Sequence, residues 1–171
     1  VMPHLAAAVE GWPSRELDLV GVTGTNGKTS VVHLLDAVLE RAGRTTATHG
    51  TLSGGRTTPE ATDLQPLLRS WVATGVDAAA IEVSSHALSQ HRVDGTTFAA
   101  VAFTNLSRDH LDFHGSMDDY EVAKARLFDG TFSNHGVGVV ADQAGRRMAD
   151  RARDAAMTVV EVGEPTEVAV S

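Results

Sequence analysis

Residues 21–29 read Gly-Val-Thr-Gly-Thr-Asn-Gly-Lys-Thr. Glycines at 21, 24 and 27 favour a sharp turn over a continued strand or helix. The segment before the turn, Leu17–Val22, is apolar and short, as a buried strand is. After it, Val31, Leu34, Leu35, Val38 and Ala42 recur at helical spacing from about Lys28, and Gly43 ends the run. A strand, a glycine-rich turn and a helix in that order bring backbone N–H groups and the positive end of a helix dipole to one point, a cradle for phosphate. Lys28 adds charge for outer phosphates, and Thr29 adds a hydroxyl suited to Mg²⁺. The general phosphate-loop pattern places four residues between its first glycine and the Gly-Lys pair. That first position is Val22 here, so Gly21 and Gly24 supply the flexibility instead.

The rest of the chain repeats the alternation. Strands are expected at Thr45–Thr48, Asp77–Val83, Thr97–Phe103, Val137–Ala141 and Thr158–Val162. Helices are expected from Pro59, with Thr58 as N-cap and Leu64, Leu67, Leu68, Trp71 and Val72 as apolar stripe; after Ser116, capped by that serine with Asp119 three residues on; and over 143–153. Gly75 ends the first of these helices, and 50–59 reads as a Gly/Ser/Thr loop. The implied fold is α/β, a mostly parallel sheet flanked by helices, of the P-loop NTPase kind. Such sheets bind ligands beyond the carboxyl ends of their strands. Residues 1–14 read as the remnant of a preceding domain or a linker, and 15–171 as one domain.

Composition removes several alternatives. A net charge of −8 argues against sequence-independent nucleic-acid binding, and the absence of cysteine excludes disulfides and thiolate metal sites. No apolar run has the length of a membrane span, and the start lacks signal-peptide blocks, so a cytoplasmic protein without membrane partners is the expectation.

Three polar residues stand out. Glu82 ends an apolar strand, where a carboxylate can hold Mg²⁺ near a phosphate or simply be solvated. His110 lies in the polar loop 104–115. Lys124 shares a helix face with Met117, Tyr120, Leu127 and Phe128, so its ammonium either snorkels to solvent or is buried at a cost.

Several segments carry a resemblance. Thr23-Gly-Thr-Asn-Gly-Lys-Thr29 is similar to the variant phosphate loop of Mur ligases and of folylpolyglutamate and cyanophycin synthetases. Glu82-Val-Ser-Ser-His-Ala-Leu88 resembles the Mur ligases' acidic motif, Asn105–Gly115 their histidine motif, and Tyr120–Phe128 the segment that carries a carbamylated lysine. Thr57-Thr-Pro59 and Gln90-His-Arg-Val93 look most like the UDP-N-acetylmuramoyl-tripeptide synthetases. The likeness is dense from about Leu19 to Phe128 and looser through Val140–Gln143 to Val162.

The resemblance implies an ATP- and Mg²⁺-dependent ligase that adds meso-diaminopimelate or L-lysine to UDP-MurNAc-L-Ala-D-Glu through an acyl phosphate. Gly24, Thr25, Asn26, Gly27, Lys28, Thr29 and Ser30 would hold the ATP phosphates. Thr29 and Glu82 would hold one Mg²⁺, and Glu82, His110 and carbamylated Lys124 a second. Thr57, Thr58, Ser84, Gln90 and Arg92 would bind the UDP-MurNAc-dipeptide. Asp109, Asp112 and His114 read as loop-shaping. The family's uridine-binding domain and C-terminal domain lie outside this sequence, so the 171 residues alone are expected to lack ligase activity. Two other readings share the phosphate loop: a folylpolyglutamate- or cyanophycin-type ligase, and a regulatory nucleotide-binding module.

Overall fold

The computed structural model describes residues 1–139 and 142–163. Six strands form one sheet: β1 (Asp18–Thr23), β2 (Thr46–His49), β3 (Ala78–Glu82), β4 (Ala100–Phe103), β5 (His135–Val139) and β6 (Thr158–Val162). Their order is β2-β3-β1-β4-β5-β6, and every pairing is parallel. The α/β expectation is met. Each crossover carries helix, as parallel neighbours require: α2 (Lys28–Arg41), α3 (Ala61–Ala73), α4 (Ser85–Ser89), α5 (Leu111–His114), α6 (Met117–Ala125) and α7 (Gln143–Asp154). An N-terminal helix, α1 (Met2–Val9), packs on α3 and buries Ala7, so residues 1–14 lie against the sheet domain.

The central strands are apolar on both faces. Ala78, Ala79, Ala80 and Ile81 of β3 are all buried, and small alanines let flanking helices approach closely. The larger core joins Leu19, Ile81, Val101 and Phe103 of the sheet to Leu64 and Leu68 of α3 and to Leu127, Phe128 and Met148 near α6 and α7. A smaller one, Val22, Val32 and Ala80, lies under α2.

Local expectations fail in instructive places. In α2 the buried position is Val32, flanked by half-buried Val31 and Leu35, while Leu34 and Val38 are 65% and 64% exposed. Apolar residues cover a wide arc of the helix, with His33, Asp36 and Glu40 on the remainder, so spacing alone did not fix its inner face. Thr58 does not cap α3, which starts at Ala61 with Glu60 as N-cap. Its hydroxyl is buried and donates to the Glu82 carbonyl at 2.9 Å instead. β4 starts at Ala100 rather than Thr97, because the Thr97 N–H bonds the Ser14 hydroxyl at 3.0 Å. The expected strand 137–141 is β5, two residues earlier, and residues 140 and 141 lie outside the described residues. The Ser116 cap is observed, its oxygen accepting from the Asp119 N–H at 3.1 Å.

This packing separates the two kinds of leucine experimentally. Leu68→Ala, in the core, should cost about 2–5 kcal/mol, whereas Leu34→Ala should cost about 0.5 kcal/mol or less. Urea unfolding of both variants measures the contrast, and equal losses would place Leu34 inside.

Candidate functional site

Strand register puts the polar residues together. Val22 of β1 lies opposite Glu82 of β3, and Thr23 lies opposite Phe103 of β4. The segments that leave these strands, the glycine loop, Val83–Ser85 and Thr104–Ser107, therefore emerge side by side. Gly24 takes φ +149, and a Cβ there would sit 1.9 Å from the Thr104 hydroxyl, so only glycine lets the two loops touch.

The loop after β4 clamps the glycine loop. The Asn26 N–H donates to Asn105 Oδ1 at 3.0 Å, and Asn105 Nδ2 donates back to the Asn26 carbonyl at 3.1 Å. The Thr104 hydroxyl donates to that carbonyl at 2.6 Å, and the Thr25 N–H donates to the Asn105 carbonyl at 2.9 Å. Thr25 Oγ1 accepts from the Ser107 N–H at 2.9 Å and lies 3.1 Å from the Tyr120 hydroxyl. The N-cap of α2 is Gly27, and no side chain caps the helix. Its first N–H groups, beside Ser30, keep their positive end free for an anion.

Two ammonium groups converge on this loop. Lys28 Nζ donates to the carbonyls of Gly24 and Thr25 at 2.8 and 2.9 Å. Lys124 Nζ, from α6, donates to the same Gly24 carbonyl at 2.9 Å. Lys124 does not snorkel: it is 1% exposed, and its ammonium sits 4.4 Å from the centre of the Tyr120 ring. Burial first, then the charge of Lys28, pushes its pKa down to about 7, against a weaker opposing pull from Asp109. Burial also holds Lys28 below the ordinary lysine value, with Glu82 and Asp109 pulling it back up.

Glu82 is 1% exposed. Its Oε1 accepts the Thr29 hydroxyl at 2.8 Å and the Thr51 N–H at 2.9 Å, and Oε2 accepts the Thr51 hydroxyl at 3.3 Å. A carboxylate and a hydroxyl are hard oxygen donors, which suits Mg²⁺. The lysine-lined loop and uncapped helix suit a polyphosphate. The residues thus fit both groups. His110 is exposed, in left-handed conformation at φ 52; its ring packs edge-on against His86 at 4.8 Å and against Tyr120 at 6.1 Å. Among the described residues no hydrogen bond or ion pair joins His110 to Glu82 or Lys124, and no group of three His, Asp or Glu side chains is arranged around a common ion.

The residues expected to bind substrate form a second patch next to Glu82. The Thr58 hydroxyl accepts from the Ser84 N–H at 3.0 Å and lies 3.3 Å from the Ser84 hydroxyl. Arg92, 7% exposed, donates to the Thr58 carbonyl at 3.1 Å and to Gln90 Oε1, and pairs with Glu60 at 3.1 Å. Thr57 reaches the patch through Thr51, 3.2 Å away.

Sequence reasoning missed Thr51, Asn105 and Tyr120 as parts of the site. It also gave His114 only a loop-shaping role, where its Nε2 lies 2.9 Å from the Ser85 hydroxyl. A polar residue after each central strand is the available signal, and Thr104 and Asn105 follow it; Thr51 lies in a loop marked only by composition.

The parallel sheet, the glycine loop at a helix N-terminus and the acid on the neighbouring strand end define an α/β domain of the phosphate-loop class. The chain belongs to the Mur ligase middle domain family, whose profile matches residues 22–170. It is 44% identical, over 96% of its length, to the UDP-N-acetylmuramoyl-L-alanyl-D-glutamate–2,6-diaminopimelate ligase of Streptomyces avermitilis, and spans 34% of that protein. It therefore spans about one third of the length of this curated relative. A solved structure of a ligase with that same name superposes with a TM-score of 0.79 at 30% identity, covering 93% of this chain and 36% of that one. The fold is shared with MurF ligase from Thermotoga maritima in complex with ADP, at a TM-score of 0.71 and 16% identity, covering 93% of this chain and 36% of that one. Among the described residues no helix is long and apolar enough to cross a membrane.

Lys124 has a measurable signature. Its pKa is about 7 in the folded chain against an ordinary 10.5, so between those values the unfolded chain holds the extra proton and stability rises with pH. Lys124→Met should remove that rise. In CO₂-free buffer its stability relative to wild type should be highest at pH 7 and below and fall as pH approaches 10.5. Urea titrations across this range report it, and a pH-independent difference would mean that the lysine titrates normally.

Proposed function

We propose that the chain is the ATP- and UDP-MurNAc-dipeptide-binding part of an ATP-dependent ligase that extends UDP-MurNAc-L-Ala-D-Glu by a third amino acid in peptidoglycan synthesis. The observation that carries this reading is the convergence of Lys28 and Lys124 on the Gly24 carbonyl, beside a buried Glu82 hydrogen-bonded to Thr29. The relative's name favours 2,6-diaminopimelate as the third amino acid. A cytoplasmic site of action, where ATP and UDP-linked precursors are available, goes with this reading, and 15–171 then forms the middle domain of the enzyme.

In this reading Gly24–Ser30 cradle the ATP phosphates, with loop N–H groups and Lys28 as the donors. Thr29 and Glu82 would hold one Mg²⁺, and Glu82, His110 and carbamylated Lys124 a second. Bound Mg²⁺ would offset the repulsion between a phosphate and the incoming carboxylate. Arg92, Gln90, Thr57, Thr58 and Ser84 would orient the precursor so that the D-Glu side-chain carboxylate meets the γ-phosphorus in line. Positioning supplies much of the rate in such a transfer. The carboxylate oxygen bonds to phosphorus as the bond to the ADP oxygen breaks; the amine then attacks the acyl carbon and phosphate leaves.

The lowered pKa of Lys124 gives carbamylation a physical basis. A neutral amine attacks CO₂, an N–C bond forms, a proton is released, and a cation becomes an anionic oxygen donor. An ordinary lysine is almost wholly protonated at neutral pH and reacts poorly.

Calorimetry with UDP-MurNAc-L-Ala-D-Glu tests the substrate assignment. Binding is expected, and Arg92→Ala should weaken it by about 30-fold or more, the equivalent of at least 2 kcal/mol for a buried charged contact. Nucleotide binding without any response to this precursor would favour a regulatory module, and binding of a folate in its place the folylpolyglutamate type. For the lysine, ¹³C-bicarbonate should give a carbamate resonance near neutral pH that Lys124→Ala abolishes; its absence from wild type would remove Lys124 from the metal site.

A further inference from the structure

We propose that Thr51 is a positioning residue for the Glu82 carboxylate, and that it links precursor occupancy at Thr57 to metal occupancy at Glu82. The inference rests on the proposed reading of Glu82 as a metal ligand and of Thr57 as a precursor contact.

A carboxylate as buried as Glu82 needs donors to offset lost hydration. Three hydrogen bonds reach it from side chains and backbone of two residues: one from Thr29, and two from Thr51. With a cation between them, the Thr29 hydroxyl would be shared between cation and carboxylate, whereas Thr51 donates to the carboxylate alone. Thr51 supplies two of the three bonds and reaches both oxygens, its N–H holding Oε1 and its hydroxyl Oε2.

The chain builds this grip deliberately at Gly50. A Cβ on residue 50 would stand 2.2 Å from Glu82 Oε1, so only glycine lets the backbone lie against the carboxylate. A closed turn then aims the next N–H: the Ser53 N–H donates to the Gly50 carbonyl at 3.0 Å, and the Gly50 N–H donates to the Ser53 hydroxyl at 3.1 Å. The direction of the hydroxyl chain follows from chemistry. The carboxylate only accepts, so the Thr51 hydroxyl donates to it, and the hydroxyl of Thr57, 3.2 Å away, donates to Thr51. Thr51 is exposed and Thr57 half-buried, so a ligand that engages Thr57 competes for the hydrogen that polarises Thr51. Outer partners of this kind typically change metal affinity by about 10–100-fold when removed.

The test uses Mn²⁺ as probe, read by electron paramagnetic resonance on the purified protein with ADP present. Thr51→Val, which keeps the N–H and loses the hydroxyl, should weaken Mn²⁺ binding by about 10-fold. Thr51→Ser should restore it, and Gly50→Ala should weaken it at least as much. ADP affinity in EDTA should be the same in all of them. UDP-MurNAc-L-Ala-D-Glu should alter Mn²⁺ affinity in wild type and Thr51→Ser but not in Thr51→Val. If Gly50→Ala fails to fold, the valine–serine pair decides the matter alone. Wild-type Mn²⁺ affinity in Thr51→Val would overturn the positioning claim and leave the metal reading standing. A wild type that binds neither Mn²⁺ nor ADP would overturn both.

Discussion

The pairing of β1 with β3 in the register Val22 to Glu82 sets the rest of the site. One parallel ladder fixes the height at which the glycine loop leaves its strand and the height of the acid on the next strand. The Val83 N–H extends the ladder by donating to the Val22 carbonyl at 2.8 Å. A shift of one residue would turn Glu82 to the other face of the sheet and break its contact with Thr29. The register is in turn held by packing, because Ala79 and Ile81 belong to the core on one face and Ala80 to the core under α2 on the other. Apolar burial thus locates a charged group to within a hydrogen bond.

That precision carries a cost that the fold absorbs. Lys124 lies over the Tyr120 ring and is as buried as Leu127 and Phe128 further along the chain, and a methionine would occupy such a place without desolvating a charge. The ammonium is retained with one carbonyl acceptor and one aromatic face. Lys28 crowds it from the loop side and further disfavours the proton. Two like charges on a single carbonyl oxygen are tolerable when an anion joins them, and strained when none does. The same crowding suits the loop to a phosphate, and with burial it favours the neutral amine of Lys124 over its ammonium.

The strand–loop–helix core of this arrangement was legible in the sequence, because glycine spacing and apolar runs are local signals. Lys124 was legible too, though ambiguous: periodicity put it on a buried face, but only the packing of α6 shows that the side chain has no route to solvent. Thr58 shows the limit of local rules. Thr-Pro before an apolar stripe is a sound helix start, yet the hydroxyl bonds residue 82, distant in sequence, and the helix begins two residues past Pro59, at Ala61. Leu34 and Val38 fail for another reason. Apolar residues spread over a wide arc of α2, so the exposed pair cannot be told from Val32 without knowing where β1 and β3 lie. His110 could be named only through the resemblance, since nothing in its spacing distinguishes it from His86 or His114, and the three rings pack together.

Residue 82 joins the two halves of the site in two ways. Its side chain faces Thr29 and the phosphate loop, while its backbone carbonyl accepts the Thr58 hydroxyl from the proposed precursor patch. Thr58 also bonds Ser84, and its own carbonyl anchors Arg92. A displacement of the Thr57–Thr58 segment therefore reaches the end of β3 through hydrogen bonds rather than through loose loop contacts. In the proposed reaction a carboxylate must approach an anionic phosphate within bonding reach, and two separately mobile sites would let repulsion drive the reactants apart. Building both from one rigid strand end makes the approach a property of the scaffold.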